Sequence, residues 1–127
     1  MQSTGAQGGV AARDGEVIRC GALEIRPSEF LALAGNKALK LSLRELELLT
    51  ALARRQGRIV PREELYRTVW DGPFRSDDRS VDVYVHKVRG KLTKALPDWQ
   101  FIHTHFGFGY RFQPERSHGL NKTVAGR

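Results

Sequence analysis

Between residues 78 and 96 the apolar residues Val81, Val85, Val88 and Leu92 fall at spacings of 4, 3 and 4. That is the period of one helix face and not of a strand. Tyr84 and Leu96 flank the stripe, and the other face holds Arg79, Asp82, Val83, His86, Lys87, Arg89 and Gly90. One side must be buried and the other left to solvent or a partner. Three β-branched valines have only moderate helix propensity, so packing must help to hold this helix. The chain therefore needs other elements to build a core beneath it.

Two shorter helices are written just upstream. Ser42 stands three residues before Glu45, the S-x-x-E capping box, with Leu41 and Leu46 placed to form a hydrophobic staple. Leu46, Leu49 and Ala53, with Leu43 and Leu52 alongside, make the first stripe, and Gly57 is read as its stop. Arg58-Ile59-Val60 reads as a connector. Pro61 suits the start of a second helix, with Glu63 and Glu64 in the first turn and Leu65, Val69 and Trp70 on its apolar face. Asp71-Gly72-Pro73 ends it, and Asp77 or Asp78 can cap the third helix.

The flanks read as strands. Val17–Cys20, Leu23–Ile25, Phe30–Leu33 and Lys37–Leu41 read as short strands around Gly21, Pro27-Ser28 and the turn Ala34-Gly35-Asn36, with apolar and polar residues alternating in Leu23–Ile25 and Lys37–Leu41. A small antiparallel sheet of this kind needs something packed on its apolar face. Phe101–Thr104 and Tyr110–Phe112 flank the tip Phe106-Gly107-Phe108-Gly109, a β-hairpin pattern. Residues 1–16 are small and polar and read as a flexible linker or leader, residues 17–114 as the domain, and residues 115–127 as a disordered tail.

Charge separates the two halves. Residues 1–50 hold six basic and six acidic side chains, and residues 51–127 hold fifteen and eight, so the whole net charge of +7 lies in the second half. A one-sided basic surface suggests a polyanion, most often nucleic acid, although it can also be only solubilising. Short apolar runs exclude a membrane-spanning helix, and the single Cys20 excludes an internal disulfide. A reducing cytoplasm is the expected location, and no cofactor is expected.

No G-x-S-x-G, P-loop or H-E-x-x-H pattern is present, so no enzymatic motif stands out. Asp77-Asp78 is a carboxylate pair at a helix start, where caps belong. His103 and His105 share one strand face and could form half a zinc site. The remaining ligands are not evident, since Cys20 is distant and His86 is on a helix, and no metal is expected.

Strands, three helices and a hairpin give an α+β fold, a winged helix-turn-helix with an N-terminal antiparallel sheet and a C-terminal β-hairpin wing. Four stretches carry a closer resemblance: Leu41-Ser42-x-x-Glu45-Leu46-x-Leu48-Leu49, then Gly57-Arg58-Ile59-Val60-x-Arg62-Glu63-x-Leu65 with Val69-Trp70. The third is Asp78-Arg79-Ser80-Val81-Asp82-Val83-Tyr84-Val85 with Arg89-x-Lys91-Leu92, and the fourth Ile102-x-Thr104-x-x-Gly107-x-Gly109-Tyr110-Arg111-Phe112. In this order they resemble the OmpR/PhoB-type effector domain of bacterial response regulators.

The resemblance implies a third helix in the DNA major groove and a hairpin on the adjacent minor groove or backbone. It puts Arg79, Val83, Tyr84, His86, Lys87, Arg89, Thr104 and His105 on contact-prone positions. It implies binding to direct repeats by two copies head to tail, and contact between the loop Asp71, Gly72, Pro73, Phe74 and Arg75 and RNA polymerase. This chain departs from the pattern at His86 and Gly90, where basic residues are common, and at His105-Phe106, where the family often has Val-Arg. Phe106 is read as packing on sugars or on the core. There is no room here for the alternating βα units of a phospho-accepting receiver domain, and the linker-like start is what a detached effector domain would show. The alternative is a winged-helix protein-interaction module that binds DNA weakly. A metal-dependent hydrolase rests only on the histidines.

Overall fold

The strand pattern of residues 17–41 becomes a four-stranded antiparallel sheet in the computed structural model, which describes residues 10, 11 and 13–116. Its strands are β1 (Ile18–Cys20), β2 (Leu23–Arg26), β3 (Leu31–Ala34) and β4 (Lys37–Ala38), hydrogen-bonded in that order. Cys20 faces Leu23, and Ile25 faces Ala32 across the ladder. All four are buried, so the apolar half of the alternation does face the core. The first and third strands begin one residue later than the sequence suggests. β4 is only two residues long: Leu39 N–H still donates to the Ala32 carbonyl in register with the ladder, and Leu41 N–H then donates back to Leu39 O in a tight turn.

Helix α1 (Leu43–Ala53) starts on a complete capping box. Glu45 N–H donates to Ser42 Oγ at 3.1 Å, and Ser42 N–H donates to Glu45 Oε1 at 2.8 Å. Leu46, Leu49, Leu52 and Ala53 are buried, but Leu43 is exposed and does not join the stripe. At about 100° per residue it lies on the opposite side of the helix from Leu52. Leu48, unassigned in the sequence reading, is fully buried instead. Nor does α1 run to Gly57. The bonds Arg55 N–H to Leu52 O and Gln56 N–H to Ala53 O tighten the chain into turns after Ala53. Gly57, at φ +87°, then donates its N–H to Phe112 O.

The stretch read as a connector contains a strand, β5 (Ile59–Val60), which leads into α2 (Arg62–Val69) and α3 (Ser80–Ala95). The hairpin is β6 (Trp99–His105) and β7 (Gly109–Arg116), and the second sheet has the order β5-β7-β6. Val60 pairs with Tyr110 and Ile59 with Arg111, so β5 anchors the base of the hairpin. α3 is shorter than 78–96 because Asp78 Oδ1 accepts the Ser80 N–H at 2.8 Å from outside the helix. Val81, Val85, Val88 and Leu92 are all buried, as the spacing requires. Phe101 stacks between Trp99 and Phe112 at ring distances of 5.7 and 5.9 Å, joining the hairpin to the same core.

The hairpin strands extend to Arg116, two residues past the expected boundary at 114. At the other end Val10 packs on the core, and Glu16 forms an ion pair with Arg54 just past α1. The leader residues 1–9 and 12 and the tail residues 117–127 lie outside the described residues.

Candidate nucleic-acid interface

The buried valines of α3 fix the rotation of that helix, and its outward side follows from their spacing. Arg79, Val83, His86 and Lys87 are exposed on it, Val83 to 47%. Tyr84 is half-buried, its ring centre 5.4 Å from that of Trp70 in an edge-to-face arrangement, and Trp70 stacks on Tyr66 at 5.5 Å. Lys87 Nζ sits 4.8 Å above the Tyr84 ring. Tyr84 is thus a braced platform under a lysine rather than a free side chain. Lys91 turns away, donating to the Lys40 carbonyl and to buried Glu45, both at 2.7 Å. Burial works against the Glu45 charge, but Lys91 and the Ser42 N–H hold its carboxyl below the usual range.

Arg89 is less outward than its place in the sequence suggests. Nη2 donates to Thr104 Oγ1 at 2.8 Å, and the guanidinium lies 6.0 Å from the centre of the Tyr110 ring. Its Nε is buried with no hydrogen-bond partner among the described residues. Helix and wing are therefore joined through two of the residues assigned to contact.

The acid on this face, Asp82, has one hydroxyl donor and two arginines in ion-pair range, while its buried Oδ2 makes no hydrogen bond among the described residues. Tyr110 donates its hydroxyl to Oδ1, while Arg62 Nη2 lies 3.0 Å and Arg79 Nη1 3.6 Å from Oδ2. The outward side of α3 therefore presents little uncompensated negative charge. Burial first, and then the Asp82 carboxylate, pushes the Tyr110 hydroxyl up to about 12. Arg62 also donates to the Asp78 carbonyl at 2.8 Å and lies 5.5 Å from the Phe74 ring. This junction of α2, α3 and wing was not read from sequence; the signal was Arg62 and Tyr110, both within quoted motifs but given no role.

The wing histidines have partners inside the hairpin. His105 Nε2 accepts from Arg111 Nε at 3.1 Å, so that nitrogen carries no proton in this arrangement. His103 Nε2 lies 2.9 Å from the Gln113 carbonyl, to which it can only donate. Among the described residues no group of three or more His, Cys, Asp or Glu is placed to hold a metal ion. Phe106 is 88% exposed, so it does not pack on the core. Its ring stands beyond the last strand pair, His105 with Gly109, where no core residue reaches it.

The loop after α2 begins with Asp71 at φ +56°. Phe74 folds inward against Tyr66 at 5.5 Å and beneath Arg62. Gly72 is half-buried, and Asp71, Pro73 and Arg75 are exposed, with Arg75 Nε 3.5 Å from Asp77.

A helix pair, an outward basic third helix and a hairpin tied to it define a winged helix-turn-helix domain. The chain belongs to the family described as "Transcriptional regulatory protein, C terminal", which matches residues 36–112. It is 33% identical over 100 residues to the alkaline phosphatase synthesis transcriptional regulatory protein PhoP of Bacillus subtilis, covering 79% of this chain and 41% of that one. It is 36% identical over 99 residues to the transcriptional regulatory protein SrrA of Staphylococcus aureus, covering 77% and 41%. The chain thus spans about two fifths of the length of these curated relatives. The RstA DNA-binding domain of Klebsiella pneumoniae, solved in complex with the RstA box, superposes with a TM-score of 0.70 at 30% identity, over 77% of this chain and 97% of that one. The DNA-binding domain of CpxR from E. coli gives 0.71 at 26% identity, over 78% and 97%. No helix among the described residues is long and apolar enough to cross a membrane.

Proposed function

We propose that this chain is the sequence-specific, double-stranded DNA-binding domain of a bacterial transcription regulator of the two-component type, acting in the cytoplasm. It performs no catalytic step and uses no cofactor. α3 lies in the major groove, and the β6–β7 hairpin lies on the adjacent minor groove or backbone. The observation that carries this reading is the outward side of α3: exposed Arg79, Val83, His86 and Lys87, with Asp82 neutralised by its neighbours. Arg79 and Lys87 neutralise phosphates or donate to guanine edges, and Val83 meets a thymine methyl. Tyr84 braces Lys87. Arg89 and Thr104 act as a pair at the helix–wing junction, with His105 beside them.

Two copies bind head to tail on direct repeats, and the loop 71–75 contacts RNA polymerase through exposed Asp71, Pro73 and Arg75, with Phe74 holding the loop in shape. Selection of duplexes from a random pool by the purified chain tests the main reading. Recovery of a repeated motif is the expected result; a pool that stays random after several rounds rejects it. Reconstituted transcription with Arg75→Ala tests the polymerase contact, which predicts a lost regulatory effect, in either direction, with DNA binding unchanged.

A further inference from the structure

The wing tip leaves two aromatic rings bare. Phe106 and Phe108, at 88% and 74%, are the most exposed large apolar side chains among the described residues. Neighbouring exposed rings of this size mark a contact surface more often than an accident of the fold. They flank Gly107 in a short turn that is closed by Phe108 N–H donating to His105 O at 2.8 Å. The base of the turn is firmly seated. Gly109 has φ +146°, and a Cβ there would lie 2.1 Å from the Val60 carbonyl oxygen. The hairpin is thus pressed against β5 directly below the two rings, which are held out on a rigid support.

The surroundings of the tip identify its occupant. Phe106 and Phe108 line one cleft with Arg62 and with Arg79 at the start of α3. His105 and Arg111 are joined at the base of the tip. The acids of the cleft are occupied: Asp82 by Tyr110, Arg62 and Arg79, and Glu63 by Arg67. Bare rings in a basic setting complement a groove walled by phosphates. They do not complement a second copy of a chain whose net charge is +7. A phenyl ring has no donor for the acceptors on the minor-groove floor, so it can only fill space, stack or part a base step.

We propose that Phe106, with Phe108 beside it, is an apolar wedge that enters the minor groove at a flexible pyrimidine–purine step, partly unstacks it and kinks the bound DNA. This rests on the DNA-binding reading and adds a mode of sequence choice: the site under the wing is selected by how easily it deforms.

The test uses the whole chain and a duplex it selects from a random pool, with dyes at both ends and 2-aminopurine at pyrimidine–purine steps near the wing. The parent is expected to shorten the dye distance and brighten 2-aminopurine at one such step. Phe106→Ala, a change at an exposed side chain, should abolish both signals at saturation. It should also weaken binding by about tenfold, the scale of one aromatic–base contact. Phe106→Arg should restore affinity without the kink. A Phe106→Ala variant that binds and bends as the parent does overturns the wedge. A variant that loses only cooperativity on a two-site duplex, with one-site bending intact, also overturns it and makes the tip a protein contact. A parent that selects no duplex at all rejects the DNA-binding reading itself, and the wedge with it.

Discussion

Arg89 on α3 and Thr104 on β6, fifteen residues apart in sequence, are joined by a hydrogen bond of 2.8 Å. The bond ties the third helix to the wing, so the two form one continuous surface. Removing Arg89 therefore acts on fold and binding alike, and removing Lys87 mainly on binding. Lys87→Ala should cost only about 0.5 kcal/mol of stability through its contact with the Tyr84 ring, weaken binding to all duplexes and lower the salt slope by about one. Arg89→Ala should also lose about 1 kcal/mol of folding stability with the Thr104 bond. Denaturant melts beside salt-dependent titrations separate the two; equal melts and unaltered affinity in both variants would reject the assigned roles.

The phase of α3 is fixed by its buried valines. Val85 is buried to 1% exposure in the core that α3 shares with the other helices and the hairpin. Val85→Asp would place a carboxylate there at a cost of several kcal/mol, with water excluded. Loss of cooperative unfolding is expected by circular dichroism.

Two glycines should respond in opposite directions. Gly109→Ala meets the Val60 carbonyl at 2.1 Å and a positive φ, so it should destabilise the domain severely. Gly90 lies within α3 with nothing near its missing Cβ. Gly90→Ala should stabilise the fold by up to about 1 kcal/mol, through helix propensity and a less flexible unfolded chain. Thermal melts of both variants read the contrast directly.

Stability should fall at both ends of the pH scale. Glu16, Glu24, Glu45, Glu64 and Asp78 are all held below the usual carboxylate range by arginine, lysine or backbone donors. Their contribution is complete above about pH 4.5, the ordinary carboxylate value, and is lost as pH falls below it. Burial pushes Cys20 up to about 11, and burial with Asp82 pushes Tyr110 up to about 12. Their unfolded forms ionise first, so stability is complete below about pH 8.5 and declines as pH rises towards the folded values. Melting temperature against pH should show both limbs, and Tyr110→Phe with Cys20→Ala should flatten the alkaline one.

What the sequence made legible was periodic or local. The α3 stripe and the Ser42–Glu45 box could be read because spacing and capping act within one turn or one helix face. Strand β5 could not, since two residues carry no period and Ile59–Val60 becomes a strand only by pairing with Tyr110 and Arg111, some fifty residues on. Leu43 was misplaced because a leucine at a helix start fits a stripe on paper whether or not anything packs against it. Of the candidate site, the exposed residues of α3 were legible from the phase of its valines. The Arg89–Thr104 bond, the Arg62–Asp82–Tyr110 junction and the inward turn of Phe74 were not, because each joins elements that only the tertiary fold brings together.

The outward side of α3 is proposed to read duplex DNA by sequence. The most direct measurement is a titration of the whole chain against its selected duplex and against a shuffled duplex of the same composition, at physiological ionic strength. Roughly thousandfold tighter binding to the selected duplex is expected. Val83→Ala and Arg79→Ala should narrow that ratio with the fold intact. Equal affinity for the two duplexes, or a ratio that both variants leave untouched, would contradict this reading.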